Sequence, residues 1–180
     1  RRQRQMCIRD SHQSALRLLN LINQILEFRK TETQNKKLCV SKGNIAPLIY
    51  EIGLKYKELN QKTKIDFQIQ IEKEEMLLFF DKEIITIVLD NLISNAIKYT
   101  EQGRVTLSLY QTMRNEVAYT EIKVSDTGYG ISAEALPHIF DRYYQESGKH
   151  QASGTGIGLA LVTNLVTLHE GEIRAESIQN

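Results

Sequence analysis

The sequence is poor in cysteine, in long apolar runs and in net charge. Its two cysteines, Cys7 and Cys39, stand far apart and form no C-x-x-C pair, which favours unpaired thiols in a reducing compartment over a disulfide framework or a zinc site. The apolar runs are only a few residues long, whereas a membrane span needs roughly 20. A net charge of +1 gives no basis for a nucleic-acid or anionic-membrane partner. We therefore expect a soluble globular chain with no nucleic acid and no direct membrane contact.

Glycine, in contrast, is concentrated in one part of the chain. Six of the ten glycines lie between Gly128 and Gly158, and glycine allows a backbone to approach a ligand closely. The run G-T-G-I-G-L at residues 154–159 leads into a helix predicted from Ile157 to His169. Unpaired amides and the positive end of a helix dipole favour phosphate. This concentration predicts a nucleotide site.

Hydrophobic spacing divides the chain into three parts. Residues 1–11 are basic and aperiodic, and we interpret them as a non-native or disordered arm. Residues 12–37 form one long helix and a polar linker, because Ala15, Leu19, Ile22 and Leu26 are spaced 4, 3 and 4 apart like a coiled-coil seam. Such a stripe needs a second helix, either missing from this chain or supplied by another copy. Residues 38–180 form the third part, a compact domain.

The compact domain alternates between strand and helix patterns. We predict strands near 38–40 and over 65–71, and a more buried strand over 76–80. Helices are predicted over 44–59 and from Asp81 to Gly103, with Asn44 and Asp81 as their caps. A hairpin with strands at 105–109 and 118–124 is followed by a polar, lid-like stretch over 127–155, which contains a short helical turn ending at Pro137; a helix over 157–169 and a strand over 172–178 complete the domain. On the helix over 44–59, the face that points into the core is predicted to include Leu59.

Three polar residues recur on the helix that follows Asp81. Asn91, Asn95 and Lys98 stand at i, i+4 and i+7, hence on one stripe, which we place opposite the buried face. A solvated stripe would more typically carry Glu and Lys, since Asn competes with the helix backbone for hydrogen bonds. Amide oxygens suit Mg²⁺ and a lysine suits phosphate, so the trio indicates a metal-bound polyphosphate.

Asp126 follows a strand and precedes T-G-Y-G. A carboxylate there could accept a hydrogen bond from an exocyclic amine such as that of adenine, although a turn-forming role is the simpler interpretation of Asp126 alone. Gly128, Gly130 and Ala133 also satisfy the dinucleotide pattern G-x-G-x-x-A. That alternative requires a βαβ unit, which is absent because Pro137 stops the helix and no apolar strand follows.

Four stretches in this order resemble the catalytic ATP-binding domain of sensor histidine kinases, within the wider family that includes DNA gyrase and the mismatch-repair ATPases. They are D-N-L-I-S-N-A-I-K-Y-T (90–100), D-T-G-Y-G-I (126–131), I-F-D-R-Y-Y (139–144) and G-T-G-I-G-L-A-L (154–161). The resemblance implies an α+β fold, a two-layer α/β sandwich of the Bergerat type with a mixed, mostly antiparallel sheet and three helices on one face. One long dimerisation helix would precede it, and the closing strand would be truncated at the end of this chain.

The resemblance also implies a role for each matching residue. Asn95 would coordinate Mg²⁺, while Asn91 and Lys98 would contact metal or phosphate. Tyr99 would border the ATP, Asp126 would bind the adenine amine, and Gly128 and Gly130 would shape the adenine pocket. Phe140 would anchor the lid, and Arg142 would reach from it to phosphate. Gly154, Gly156 and Gly158 would bind the phosphates, and the remaining ATP-binding residues would be Ile131, Thr155, Ile157 and Leu159.

The departures from the pattern bear on the reaction. The gyrase branch carries a glutamate base where this chain has Asn91, and an amide cannot accept a proton from water, so transfer is favoured over hydrolysis. The helix from His12 to Thr31 resembles the second dimerisation helix of these kinases. The first, with a phosphorylated histidine in a setting such as H-E-x-R-T-P, has no counterpart here, and His12 in S-H-Q-S-A does not match it.

We therefore expect a protein-histidine kinase that transfers the γ-phosphoryl of Mg·ATP to a histidine outside this chain, for relay to an aspartate of a response-regulator receiver domain. The intact protein would be a homodimer through residues 12–31, and this part would be the cytoplasmic region of a membrane-anchored sensor. The chain alone would not autophosphorylate. The alternatives are a nucleotide-responsive interaction module without transfer and a gyrase-type ATPase.

Overall fold

The longest helix, α1, covers Arg2–Glu32. The computed structural model describes residues 2–33, 36–60, 64–145 and 155–179, without the side chains of residues 2–13, 16, 17 and 20. α1 begins at Arg2 rather than at His12, where the sequence analysis started the helix, while the assignment of residues 1–11 to a non-native or disordered arm stays a prediction. Arginine and glutamine are good helix formers, so this segment is helical without an apolar period.

The apolar stripe of α1 faces solvent in this chain. Its members are 39% to 58% exposed: Leu18, Leu19, Ile22, Ile25 and Leu26. Phe28 lies on another side of the helix, where it is 5% exposed and packs in an apolar cluster with Ile84 and Leu161. The helix therefore docks on the domain through Phe28 and leaves the predicted seam uncovered.

The rest of the chain forms two small sheets, three further α-helices and one 3₁₀ turn among the described residues. In chain order these are β1 (Ser41–Asn44), α2 (Ile45–Leu59), β2 (Ile65–Ile71), β3 (Leu77–Phe80), α3 (Lys82–Tyr99), β4 (Gly103–Arg114), β5 (Val117–Asp126), a 3₁₀ turn (Leu136–His138) and α4 (Gly158–Leu168).

Side-chain caps fix the starts of α2 and α3, as predicted. The Asn44 side chain accepts a hydrogen bond from the Ala46 amide at 3.2 Å. Asp81 accepts from the amides of Glu83 and Ile84 at 3.0 and 3.1 Å, and its second oxygen accepts from the Cys39 amide at 2.7 Å. Burial by itself would raise the pKa of Asp81, but the three amides outweigh it and lower the pKa.

The sheets are mixed and mostly antiparallel. β4 lies at the centre of the larger sheet, parallel to β2 and antiparallel to β5, and β1 pairs antiparallel with β3 in the smaller one. The β4–β5 hairpin closes tightly, with positive φ angles at Asn115 and Glu116, so both strands are longer than predicted.

Helices α2 and α3 cover one face of the larger sheet and form the main core. The residues with at most 1% exposure in this layer include Ile49, Leu89, Ile93, Val105 and Leu107. α4 packs against α3 and α1 around Ile84, Leu161 and Leu165, in a second apolar cluster that includes Phe28. The predicted α+β, two-layer arrangement with a mixed sheet is confirmed.

Several predicted boundaries and burial assignments are wrong. The first strand begins at Ser41 instead of lying at 38–40, and α3 ends at Tyr99, so Gly103 starts β4 instead of ending the helix. Leu59 is 69% exposed, because it lies at the last turn of α2 where the helix leaves the sheet.

Two strand predictions also need correction. Leu77 and Phe79 are 55% and 69% exposed, so β3 is half-exposed and only its alternate residues, Leu78 and Phe80, turn inward. Residues 172–178 form no strand, although they lie close to other parts of the site. The exposure of Leu77 and Phe79 has a simple cause: the apolar run 76–80 predicts a strand buried on both faces, but the small β1–β3 sheet is covered on one face only.

Candidate active site

The end of β5 lies against the end of α3. The Gly128 amide donates a hydrogen bond to Oδ1 of Asp126 at 2.9 Å, and Thr100 Oγ1 lies 3.5 Å from the same oxygen. A Cβ at Gly128 would lie 2.3 Å from the carbonyl oxygen of Tyr99, so only glycine fits there. The structure thus brings together Tyr99, Asp126 and Gly128, three residues that the sequence assigned to one pocket.

Gly130 and Ile131 contact the end of the chain. Gly130 has a φ of +73°, and a Cβ there would lie 2.2 Å from the carbonyl oxygen of Ile178. The Ile131 amide donates to the hydroxyl of Ser177 at 2.8 Å. Ser177 and Ile178 therefore pack against the D-T-G-Y-G-I turn, and the close approach of Ile178 accounts for a glycine at position 130.

The start of α4 carries no side-chain cap, unlike α2 and α3. Gly156 has a φ of +66° and approaches the backbone of Tyr143, whose amide donates to the Gly156 carbonyl at 2.9 Å. Thr155 accepts from the Ile157 amide at 3.3 Å, while Leu159 lies half-buried in the first turn of α4. Helix amides without a cap are available to an anion. Gly154 lies outside the described residues.

Asn91 joins α3 to the start of α4. A Cβ at Gly158 would lie 2.9 Å from Asn91 Oδ1. Asn91 is 7% exposed, and its Nδ2 donates to the Ile87 carbonyl at 2.8 Å while its Oδ1 accepts from Gln24 Nε2 at 3.1 Å. The prediction that this stripe lies opposite the buried face is therefore wrong for Asn91, because α1 and α4 cover it.

Asn95 and Lys98 remain accessible on the same helix. Asn95 is half-buried, and among the described residues its side chain makes no hydrogen bond that would occupy the amide oxygen. Lys98 Nζ lies 3.2 Å from the Tyr99 hydroxyl and 4.8 Å from the centre of its ring. In the described part of the chain, no three His, Cys, Asp or Glu side chains are placed so that they could hold a metal ion together. A divalent cation here would thus depend on amide oxygens and on the ligand's own phosphates.

Arg142, one of the two lid residues that the sequence indicated, contacts α1. Arg142 forms an ion pair with Glu32, and its guanidinium lies 5.1 Å from the centre of the Phe28 ring. Phe140 is half-buried near the same end of the 3₁₀ turn. Sequence reasoning missed Gln24, Phe28 and Glu32, because no local pattern relates them to residues so far along the chain.

Lys36 fixes the junction between α1 and α3. Its ammonium lies 3.1 Å from Glu27 of α1 and 2.6 Å from Glu83 of α3, and its side chain is only 11% exposed. Burial opposes the charge of Lys36, but the two carboxylates outweigh it and raise its pKa. Burial also opposes the charge of Glu27, but Lys30 and Lys36 outweigh it and lower the pKa of Glu27. The linker after α1 is thus held beside the capped start of α3.

The sequence and the fold are similar to those of known proteins. Residues 80–180 match the family of histidine kinase-, DNA gyrase B- and HSP90-like ATPases. Histidine kinase P4 of Formosa agariphila is 34% identical over 167 residues, which cover 89% of this chain and 12% of that protein. Sensor histidine kinase WalK of Bacillus subtilis is 31% identical over 166 residues, covering 91% of this chain and 27% of that protein. Full-length ShkA in complex with AMPPNP superposes with a TM-score of 0.73 at 23% identity, covering 89% of this chain and 34% of that chain.

The chain belongs to the family of histidine kinase-, DNA gyrase B- and HSP90-like ATPases. The two relatives named above are a histidine kinase and a sensor histidine kinase, and this chain corresponds to a part of each. It spans less than a third of the length of either curated relative. Among the described residues, no helix has both the length and the hydropathy of a membrane span.

Proposed function

We propose that this domain binds Mg·ATP between the end of β5, the exposed side of α3 and the start of α4, and transfers the γ-phosphoryl group to a histidine on a dimerisation helix outside this chain. The observation that carries the proposal is the uncapped start of α4, which Gly158 brings against Asn91 of α3. Uncapped helix amides favour phosphate, and an amide-bearing helix beside them suits the metal that accompanies it.

The adenine ring would lie at the end of β5. Asp126 stands there with one oxygen held by the Gly128 amide, so its carboxylate is oriented before a ligand arrives. It would accept a hydrogen bond from the exocyclic amine of adenine, with Tyr99 and Ile131 at the border of the ring. Guanine has a carbonyl in place of that amine, so Asp126 would favour ATP over GTP.

The phosphates and Mg²⁺ would lie between α3 and α4. The amide oxygen of Asn95 would bind Mg²⁺ together with phosphate oxygens, while Lys98 would neutralise phosphate charge. The backbone amides and the bend that hold the phosphates would come from Gly154, Thr155, Gly156, Ile157, Gly158 and Leu159. Asn91 and Arg142 would join this set once their present partners on α1 are released.

Transfer is favoured over hydrolysis by the chemistry of Asn91. An amide cannot act as a general base towards water, so the site would work by positioning ATP and neutralising its charge. The names of three relatives, each of them a histidine kinase, favour the same choice over a gyrase-type ATPase or a binding module without transfer.

The partners follow from the same assignment. The exposed stripe of α1 would pair with another copy to form a homodimer, and the phosphorylated histidine would pass its phosphoryl group to an aspartate of a response-regulator receiver domain. Since several relatives are named as sensor kinases, this domain would lie on the cytoplasmic side of a membrane-anchored sensor.

Calorimetric titration of Mg·ATP and Mg·GTP into the 180-residue chain tests the nucleotide site. We expect ATP to bind more tightly than GTP, Asp126→Asn to remove that preference, and Asn95→Asp to change the Mg²⁺ dependence of binding. Ser94→Ala, an exposed neighbour on α3, should bind as the wild type does. Absence of ATP binding to the wild type would refute the proposal.

Radiolabelled ATP tests the transfer step. The isolated chain should bind ATP without labelling itself, and addition of a histidine-bearing first dimerisation helix should produce labelled histidine on that helix. Strong labelling of the isolated chain that disappears in His12→Gln would show that the acceptor lies in this chain. Steady phosphate release without labelling would favour hydrolysis instead.

A further inference from the structure

A threonine lies at the end of α3, next to the carboxylate that the proposed function assigns to adenine. α3 ends at Thr100, whose backbone is extended, with φ −109° and ψ 106°, a conformation that suits a β-branched residue. Thr100 is 2% exposed, so its hydroxyl is shielded from water. A buried hydroxyl needs a hydrogen-bond partner, and this one contacts Oδ1 of Asp126 at 3.5 Å.

The turn after β5 is attached to the end of α3 by contacts that do not involve the threonine hydroxyl. The Tyr129 amide donates a hydrogen bond to the Tyr99 carbonyl at 3.3 Å, and the Tyr129 hydroxyl donates to Glu101 at 2.8 Å. Tyr99 and Glu101 are the two chain neighbours of Thr100. The backbone therefore sets the distance between Thr100 and Asp126, and removal of the hydroxyl alone should leave this junction in place.

Both of the donors that reach Asp126 contact the same oxygen. The Gly128 amide donates to Oδ1 at 2.9 Å, and the Thr100 hydroxyl approaches that oxygen from α3. A carboxylate only accepts, so the hydroxyl is the donor, and each carboxylate oxygen has about two lone-pair sites. The two donors therefore occupy Oδ1, and neither contact involves Oδ2. Asp126 is exposed, so a ligand can reach the carboxylate.

We propose that Thr100 is a positioning residue for nucleotide recognition: its hydroxyl and the Gly128 amide together occupy Oδ1 of Asp126, so that Oδ2 is the oxygen that accepts the exocyclic amine of adenine. This inference rests on the proposed function, because it takes Asp126 as the adenine-binding residue. With the Gly128 amide alone, a site on Oδ1 is open and the carboxylate can turn about the broad torsion that ends an aspartate side chain. Thr100 therefore contributes to discrimination between purines and not to binding of the phosphates.

The first test compares Mg·ATP with Mg·purine riboside triphosphate, which lacks only the exocyclic amine, by calorimetric titration into the full chain. Thr100→Val replaces the hydroxyl by a methyl group. It should raise the Kd of ATP about three- to tenfold, the factor that corresponds to one net hydrogen bond, and leave the Kd of the analogue unchanged. Thr100→Ser retains the hydroxyl and should retain the wild-type preference for ATP. Thr106→Val, the same substitution at a half-buried position of β4, is the matched control and should change neither Kd.

The pair of nucleotides separates a positioning role from a structural one. If Thr100→Val raises both Kd values equally, or leaves the Kd of ATP unchanged, the inference is overturned while the proposed function stands. Equal Kd values of the two nucleotides in the wild type would contradict the adenine contact of Asp126, and hence the proposed function itself. Thr100→Ala also lacks the hydroxyl and should show the same selective loss, so the result does not depend on the folding of one variant.

The second test is a double-mutant cycle between Thr100 and Asp126. If Thr100 acts through the carboxylate, Thr100→Val should raise the Kd of Mg·ATP much less in the Asp126→Asn background than in the wild type. Independent sites give additive free-energy changes, whereas residues that act through one another do not. Full additivity of the two substitutions would therefore overturn the inference.

Discussion

Gly158 and Asn91 are so close that a methyl group on Gly158 would lie 2.9 Å from the side-chain oxygen of Asn91. This contact brings the uncapped start of α4 against α3, and it ties the last of the four sequence motifs to the first. Because residue 158 has no side chain, the start of α4 can approach Asn91 of α3 this closely.

Gly158→Ala should weaken Mg·ATP binding about tenfold while leaving the fold nearly as stable as the wild type. Alanine is favoured over glycine inside a helix by about 1 kcal/mol, which offsets part of the clash, but Asn91 must turn away and α4 must shift. Calorimetry and urea unfolding separate the two effects. Gly171→Ala, past the other end of α4 and with 3.2 Å to its nearest neighbour, should affect neither strongly; equal loss of binding in both variants would contradict the assignment.

Gly128→Ala should lower the free energy of unfolding by about 1–3 kcal/mol, the usual cost of overpacking a tight contact. The clash is with the backbone oxygen of Tyr99 at 2.3 Å, which cannot rotate aside. Gly43→Ala provides the comparison, since its nearest neighbour would be the Phe80 ring at an ordinary 3.5 Å. Urea unfolding measures both. Equal stability of the two variants would show that the end of β5 is looser than the structure indicates.

Asp81→Ala should cost about 1–2 kcal/mol at neutral pH, because it removes the cap of α3 together with the contact to the Cys39 amide. The pKa of Asp81 is lowered from 3.8 in the folded protein. Its contribution is therefore fully present above that unfolded value and is lost as pH falls through the folded pKa. The difference in unfolding free energy between wild type and variant should therefore decrease as the pH falls through the folded pKa of Asp81. Asp66→Ala, at an exposed ion pair, should show a much smaller difference throughout.

Lys36→Gln should destabilise the docking of α1, because it leaves Glu27 and Glu83 without their shared cation. A partly buried ion pair contributes more to stability than an exposed pair does, and breaking it costs less than breaking a fully buried pair. We therefore expect the free energy of unfolding to fall by about 1–2 kcal/mol. Lys37→Gln is the natural control, since Lys37 is exposed and adjacent. Limited trypsin digestion at Arg29 and Lys30 reports release of α1. Equal digestion of the two variants would show that Lys36 does not hold the linker.

The motifs predicted which residues lie close together better than they predicted what surrounds these residues. Tyr99, Asp126 and Gly128 meet as expected, since their positions follow from a strand end and a helix end that hydrophobic periodicity locates well. The caps Asn44 and Asp81 were also predictable, because capping is a local interaction.

Features that depend on distant contacts were not predictable. The burial of Asn91 requires Gln24, and nothing within the sequence around Asn91 records that contact. The exposure of Leu77 and Phe79 has the same origin, because an apolar run does not reveal whether a small sheet is covered on one face or on two.

Gln24, Phe28 and Glu32 are spaced four residues apart, so they form one line along α1 about 12 Å long. Successive residues of a helix are separated by about 100° around its axis, and a twist of that size would carry all three away from Asn91, the apolar cluster and Arg142 in one movement. The exposed stripe of leucine and isoleucine is rigidly connected to that line. A rotation of the stripe about the helix axis therefore moves Gln24, Phe28 and Glu32 together relative to α3, α4 and Arg142.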